Sequence, residues 1–85
     1  MDRYEAELAV ISAALCEHRG IVYYAYSVVY TKNPRGTPMW SIVLHERRAN
    51  TTVQVPLEQV KVVNWNLPAD FVAARLSKMR GAREA

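Results

Sequence analysis

Apolar residues near the start of the chain recur at a helical spacing. The repeat consists of Tyr4, Leu8, Ile11 and Leu15. Steps of three and four residues place these side chains on one face of an α-helix. Asp2 precedes the repeat and Arg19 follows it, so both charges suit the helix dipole, and Gly20 stands where a C-terminal glycine is expected. The pattern predicts a helix over residues 2–18.

The next segment, residues 21–31, is apolar on both of its alternating faces. It is dense in Val, Tyr and Ile, which favour strands. One face carries Val22, Tyr24, Tyr26, Val28 and Tyr30, and the other carries Ile21, Tyr23, Ala25 and Val29. A strand that is apolar on both sides is usually central or covered on each face. We therefore expect a strand in the middle of a sheet.

Two further segments alternate between apolar and polar residues, as half-buried strands do. Residues 39–48 place Trp40, Ile42 and Leu44 on one face, and residues 51–55 do the same with Val53 and Val55. The sequence Asn33-Pro34-Arg35-Gly36 has the residue preferences of a type I turn. Pro56 ends the last of these strands, because proline cannot donate to a ladder.

The last third of the chain is less regular until its final helix. Residues 60–65 fit either a short strand or an irregular connection, and the pattern leaves both open. Pro68 suits the first turn of a helix, whose apolar stripe then consists of Val72, Leu76 and Met79. Gly81 closes this helix, and residues 82–85 are expected to fray.

These elements predict an α+β fold in one domain, residues 1–85. The expected architecture is a small antiparallel sheet of three to four strands with an N-terminal and a C-terminal helix packed on one face, in the order α-β-β-β-(β)-α. No apolar run is long enough to span a membrane, and no export signal is visible, so we expect a cytoplasmic protein. The lone Cys16 suits a reducing compartment and is expected to be a small helix residue rather than a reactive thiol.

The net charge of +3 is unevenly distributed along the chain. The first helix is net acidic and the last is net basic, so two neighbouring helices would partly neutralise each other. Lys32 and Arg35 lie at one hairpin tip, and Arg47 and Arg48 at the other end of the neighbouring strand. These four cations fit either ordinary solvated charge or a contact surface for an acidic partner or phosphate.

No pattern in the sequence indicates catalysis, a metal or a cofactor. Cys16, His18 and His45 are the available soft or nitrogen ligands, and their positions do not converge. His45 and Glu46 are adjacent on a strand, so their side chains point to opposite faces. Each glycine is explained by a turn or a cap, and no glycine-rich phosphate loop is present. We therefore expect no enzyme activity, no cofactor and no metal.

The remaining expectation is a protein-binding module. It would be a small adaptor, inhibitor or regulator that covers a partner's surface, of a kind often encoded by phages and mobile elements. The predicted contact residues are Lys32, Arg35, Arg47 and Arg48, with Tyr23 as an aromatic anchor. Two alternatives stay open: weak, salt-dependent nucleic-acid binding through the same surface, and a homodimer in which a second copy covers an apolar sheet face.

Overall fold

The computed structural model of the chain describes residues 1–84, which form two helices and five strands. The elements are α1 (Arg3–Ile11), β1 (Leu15–His18), β2 (Ile21–Lys32), β3 (Pro38–Glu46), β4 (Thr51–Pro56), a short 3-10 helix (Leu57–Gln59), β5 (Lys61–Asn64) and α2 (Ala69–Glu84). The strands form one antiparallel sheet in the order β4-β3-β2-β1-β5. The predicted α+β class with a helix at each end is confirmed, and β2 is the central strand of the sheet.

The start of the chain departs from the predicted helix over residues 2–18. Helix α1 ends at Ile11, and Ala13 adopts a positive φ of 51° that interrupts the helical path. The chain then continues as β1, where Cys16 pairs with Tyr23 of β2 and is fully buried. Ile11, expected on the buried stripe, is 70% exposed. Tertiary pairing with β2 therefore overrides a local pattern that resembles a longer helix.

Because α1 ends at Ile11, Gly20 cannot cap it and has another role. Arg19 and Gly20 have φ values of 53° and 79°, and they connect β1 to β2 directly. Two consecutive residues with positive φ form the tight hairpin turn whose twist matches antiparallel strands. The predicted helix cap at Gly20 is therefore wrong, because the element that precedes this glycine is strand β1.

One face of the sheet carries the core, and α1 packs on it. Asp2 begins this helix by accepting a hydrogen bond from the Glu5 N–H at 2.8 Å. The buried cluster consists of Ala6, Ala9, Ala14, Cys16, Tyr23, Ala25, Ile42, Leu44, Val55, Leu57 and Val60. Small alanines on α1 let the helix lie close to the sheet.

Helix α2 packs antiparallel against α1. Asn66, just before α2, donates a side-chain hydrogen bond to the carbonyl of Ser12, and Arg80 near the far end forms an ion pair with Asp2. The acidic and basic helices thus meet, as their charges suggested. Val72 is the only buried side chain of α2 up to Gly81. Helix α1 lies on the core face of the sheet, whereas α2 packs against α1 rather than against a strand, so neither helix of residues 1–84 covers the other face of the sheet.

The connection between β4 and β5 shows that the sheet is curled. These strands are its two edges, which a flat sheet of five strands would separate by about 19 Å. Only residues 57–60 join them, and a 3-10 turn advances about 2 Å per residue. The edges must therefore approach each other at this end. Leu57 and Val60 are buried there, and the Met1 ammonium donates to their carbonyls at 3.0 and 3.2 Å.

Candidate functional site

The face of the sheet opposite the helices is here called the open face. Cross-strand pairing defines it, since paired residues point to the same side. Tyr24 pairs with His45, Ser27 with Val43, and Val29 with Ser41, whereas the neighbouring pair of Ala25 and Leu44 belongs to the core. Val22 extends the open face towards β1 and is 47% exposed. The centre of the open face therefore combines the half-buried Val29 and Val43 with two serines, of which Ser41 is buried, and its exposed side chains lie around this centre.

A bulge in β2 places one tyrosine outward on this face. Ala25 pairs with Leu44 and Ser27 pairs with Val43, so Tyr26 has no partner across the ladder. Its ring lies 6.3 Å from the ring of His45, centroid to centroid, and the residue is 65% exposed. Bulges redirect side chains and are common beside functional sites. Tyr26 is the most exposed aromatic side chain of the open face within residues 1–84.

The bulge also corrects the predicted division of β2 into two faces. Beyond Tyr26 the alternation shifts by one residue, so Val28 and Tyr30 lie on the core side although they were expected to accompany Tyr24. Tyr30 instead packs edge-on against Trp40, with ring centroids 5.0 Å apart. Strict alternation cannot anticipate an unpaired residue.

Four side chains beside the bulge form a connected group, which we call the tyrosine–arginine patch: Tyr24, Tyr26, His45 and Arg47. Nη1 of Arg47 donates to the hydroxyl of Tyr24 at 3.2 Å. His45 lies between the two tyrosines, opposite Tyr24 and beside the ring of Tyr26. The patch therefore joins two aromatic rings to a guanidinium at one end of the open face.

The loop between β3 and β4 positions the arginine end of this patch. Asn50 adopts a positive φ of 53°, and its N–H donates to the carbonyl of Glu46 at 3.0 Å. Its side-chain Oδ1 accepts a hydrogen bond of 3.2 Å from Nε2 of His45. This closed loop holds Arg47 and Arg48 at the end of the sheet, and both arginines are exposed.

The other predicted cations lie at the opposite end of the same ladder. Lys32 is eight residues beyond Tyr24 on β2, which corresponds to about 26 Å. Arg35 lies in a turn organised by Asn33, whose Oδ1 accepts hydrogen bonds from the N–H groups of Arg35 and Thr37, each at 2.9 Å. The structure therefore separates the four cations into two groups, and Arg47 contacts an aromatic residue of the open face, Tyr24.

Tyr23, predicted as the aromatic anchor, lies in the core instead. It pairs with Cys16 and is 6% exposed, so its ring is not available to a partner. Both faces of β2 are apolar, and the sequence alone does not show which one the helices cover. Tyr24 and Tyr26 were missed for the same reason. The sequence contained one signal for these tyrosines. The more polar face of β3 carries His45 and Arg47, and the structure places both beside Tyr24 and Tyr26.

The residues considered above as possible metal ligands, Cys16, His18 and His45, do not form a cluster within residues 1–84. Burial, with the nearby charge of Glu5, raises the pKa of the Cys16 thiol to about 11. Within residues 1–84, no group of three or more His, Cys, Asp and Glu side chains is arranged to hold a metal ion. A cavity of about 350 Å³ opens at the other end of β3, between Met1, Trp40 and Leu57. Glu58 is its single acidic lining residue.

Comparison with known proteins provides no relative from which a function could be transferred. No protein-family model, no curated protein and no solved structure matches the chain. Neither helix of the described part combines the length and the apolar character needed to cross a membrane. The functional argument therefore rests on the tyrosine–arginine patch and the open face around it.

Proposed function

We propose that the protein is a non-enzymatic protein-binding module and that the open face, centred on the tyrosine–arginine patch, is its contact surface. The observation that carries the proposal is Tyr26, placed outward by a bulge on a sheet face that no described helix covers. Tyrosine and arginine are over-represented among the residues that dominate binding energy at protein interfaces. Here both types occur within one connected group.

The surroundings of Tyr26 suit a protein partner. Val22 and Met39 are exposed on the same face, while Val29 and Val43 are half-buried between them. A contact of this kind has an apolar centre from which water is excluded and a polar rim. Covering the open face would bury these side chains and leave the arginines at the rim.

The charge of the rim indicates the chemistry of the partner. Arg47 and Arg48 are exposed at one end of the open face, and the chain carries a net charge of +3. Guanidinium groups recognise carboxylates with paired hydrogen bonds and steer acidic surfaces towards a contact. We therefore expect a protein with an apolar centre and an acidic edge. The module would act by covering that surface, as an adaptor, inhibitor or regulator does.

The test is affinity capture from nuclease-treated lysate of the native cells, followed by mass spectrometry and titration of the captured partner. The variants are Tyr26→Ala and the double charge reversal Arg47→Glu with Arg48→Glu. The matched control is Lys32→Glu with Arg35→Glu, which changes the net charge equally at the far end of β2. Circular dichroism verifies that every variant is folded.

We expect the control to bind the partner like the unmodified chain, and both patch variants to lose binding at least tenfold. Equal capture by the patch variants and the unmodified chain would overturn the site. If nuclease treatment removes all capture, and binding to single-stranded oligonucleotides falls steeply with salt, the surface is a nucleic-acid site instead, since exposed aromatic and cationic groups also stack bases and bind phosphates.

A further inference from the structure

Helix α1 lies between two layers, with the sheet on one side and α2 on the other. Ala6 and Ala9 face the sheet, because both belong to the core cluster. A helix turns by about 100° per residue, so Leu8 points roughly 130° away from the direction that the two alanines share. Leu8 is nevertheless fully buried, and it does not belong to the core cluster. Its cover therefore comes from α2, which packs against α1.

The apolar stripe of α2 that packs against α1 is narrow. Val72, Leu76 and Met79 recur at i, i+4 and i+7, and of these Val72 is buried while the other two are half-buried. Every other side chain of α2 up to Arg80 is exposed. Leu8 and Val72 are the only buried apolar residues of residues 1–81 outside the core cluster. Most of the stability of a helix in a protein comes from packing of its apolar face, so α2 is held weakly.

Two polar contacts hold the ends of α2 and are here called its tethers. Nδ2 of Asn66, just before the helix, donates to the carbonyl of Ser12 at 3.0 Å. Near the other end, the guanidinium of Arg80 forms an ion pair with Asp2. Both contacts are exposed, so water competes for them and each contributes little to stability. The closed position of α2 thus depends on two exposed tethers and one narrow apolar contact.

We infer that α2 is a strap that opens as a unit while α1 and the sheet stay folded, and that its opening uncovers Tyr4 and Leu8 on α1. Tyr4 lies one turn before Leu8 on the same side of the helix. Opening breaks the stripe contact and the two tethers, but it leaves the core cluster intact. A segment with so few contacts opens at a lower free energy than the whole domain. The strap thereby controls access to an apolar surface that the closed chain hides, on the side of the molecule opposite the open face.

Hydrogen exchange of the intact chain, followed by mass spectrometry, tests the inference. We expect the amides of residues 73–81 to exchange together, about tenfold or more faster than those of β2. Arg80→Ala should speed the exchange of α2 roughly threefold and Asn66→Ala roughly fivefold, because each removes one tether, and neither should change β2. Arg75→Ala is the matched control, since Arg75 lies on the same helix and takes part in no ion pair within residues 1–81. Its exchange should equal that of the unmodified chain.

Thiol labelling distinguishes the strap from the sheet in a second way. Cys16 is buried in β1 and reports opening of the sheet, whereas Val72→Cys places a thiol on the buried stripe of α2 and Ser77→Cys places one on its exposed side. A maleimide should react first with the exposed thiol, then with the stripe thiol, and last with Cys16. Exchange or labelling of α2 at the rate of the sheet overturns the inference, because the helix then opens only with the whole domain. Labelling of the stripe as fast as the exposed side also overturns it, because α2 is then not closed.

Discussion

The hydroxyl of Tyr24 accepts a hydrogen bond from Nη1 of Arg47 at 3.2 Å, so a strand residue of β2 anchors the first residue after β3. The two residues are 23 positions apart in the chain. The contact limits the directions in which the guanidinium can point and leaves its other N–H groups available. An arginine held in this way loses less conformational freedom when it binds a carboxylate than a free one does.

Tyr24→Phe should therefore weaken partner binding while changing stability little. The ring and its packing are kept, and only the acceptor for Arg47 is lost. Because the hydrogen bond is exposed, we expect the free energy of unfolding to change by less than about 0.5 kcal/mol. Affinity for the captured partner should fall by roughly 1 kcal/mol, measured by calorimetric titration. A fall in stability with unchanged affinity would contradict the positioning role of Tyr24.

The thiol of Cys16 should be inert in the folded protein. Its pKa is raised to about 11 by burial and by Glu5, so at pH 8 only about one thiol in a thousand is ionised. The side chain is also fully buried. We expect reaction with Ellman's reagent to proceed only as fast as the chain opens, and to become fast in denaturant. Rapid labelling under native conditions would show that β1 does not stay paired.

Two glycine substitutions should change stability in opposite directions. Gly20→Ala places a β-carbon at a φ of 79°, and no atom lies within 4 Å to clash with it, so the loss of about 1 kcal/mol comes from backbone strain alone. Helix α2 continues through Gly81 to Glu84, instead of closing at this glycine as the pattern predicts. Gly81→Ala, also without close neighbours, should therefore gain about 0.5–1 kcal/mol from helix propensity. Urea denaturation of both variants measures the difference. Equal effects would contradict the turn assigned to Gly20.

Asp2 should contribute a pH-dependent part of the stability. Burial alone would raise the pKa of its carboxyl, but the hydrogen bond from Glu5 and the ion pair with Arg80 lower it below the ordinary value. A lowered pKa means that this contribution is complete above the unfolded pKa, near 4, and is lost as the pH falls through the folded pKa. Asp2→Asn keeps a good helix cap and removes the charge. When the pH is lowered from 5 into the strongly acidic range, the free energy of unfolding of the variant should fall less than that of the unmodified chain.

The sequence predicted the elements with strong local signals. Strands β2, β3 and β4, the turn after Asn33 and the start of α2 agree with their patterns, because alternation, proline and asparagine act locally. It did not predict β1, because Leu15 continues a helical repeat and only pairing with β2 makes the segment a strand. Which tyrosines of β2 lie in the core and which lie on the open face depends on the bulge at Tyr26 and on which face the helices cover. Neither is encoded in the spacing of apolar residues.

The placement of β5 beside β1 has a consequence for synthesis. Cys16 of β1 pairs with Val62 of β5, so β1 completes its ladder only when residues 61–64 are available. Until the ribosome has released that segment, the edge of β1 that faces β5 has no partner strand. Pairing between such distant residues is slow, and an incomplete sheet edge invites association with other chains. Truncation before residue 61 should therefore yield an insoluble product, whereas loss of residues 82–85 should be tolerated.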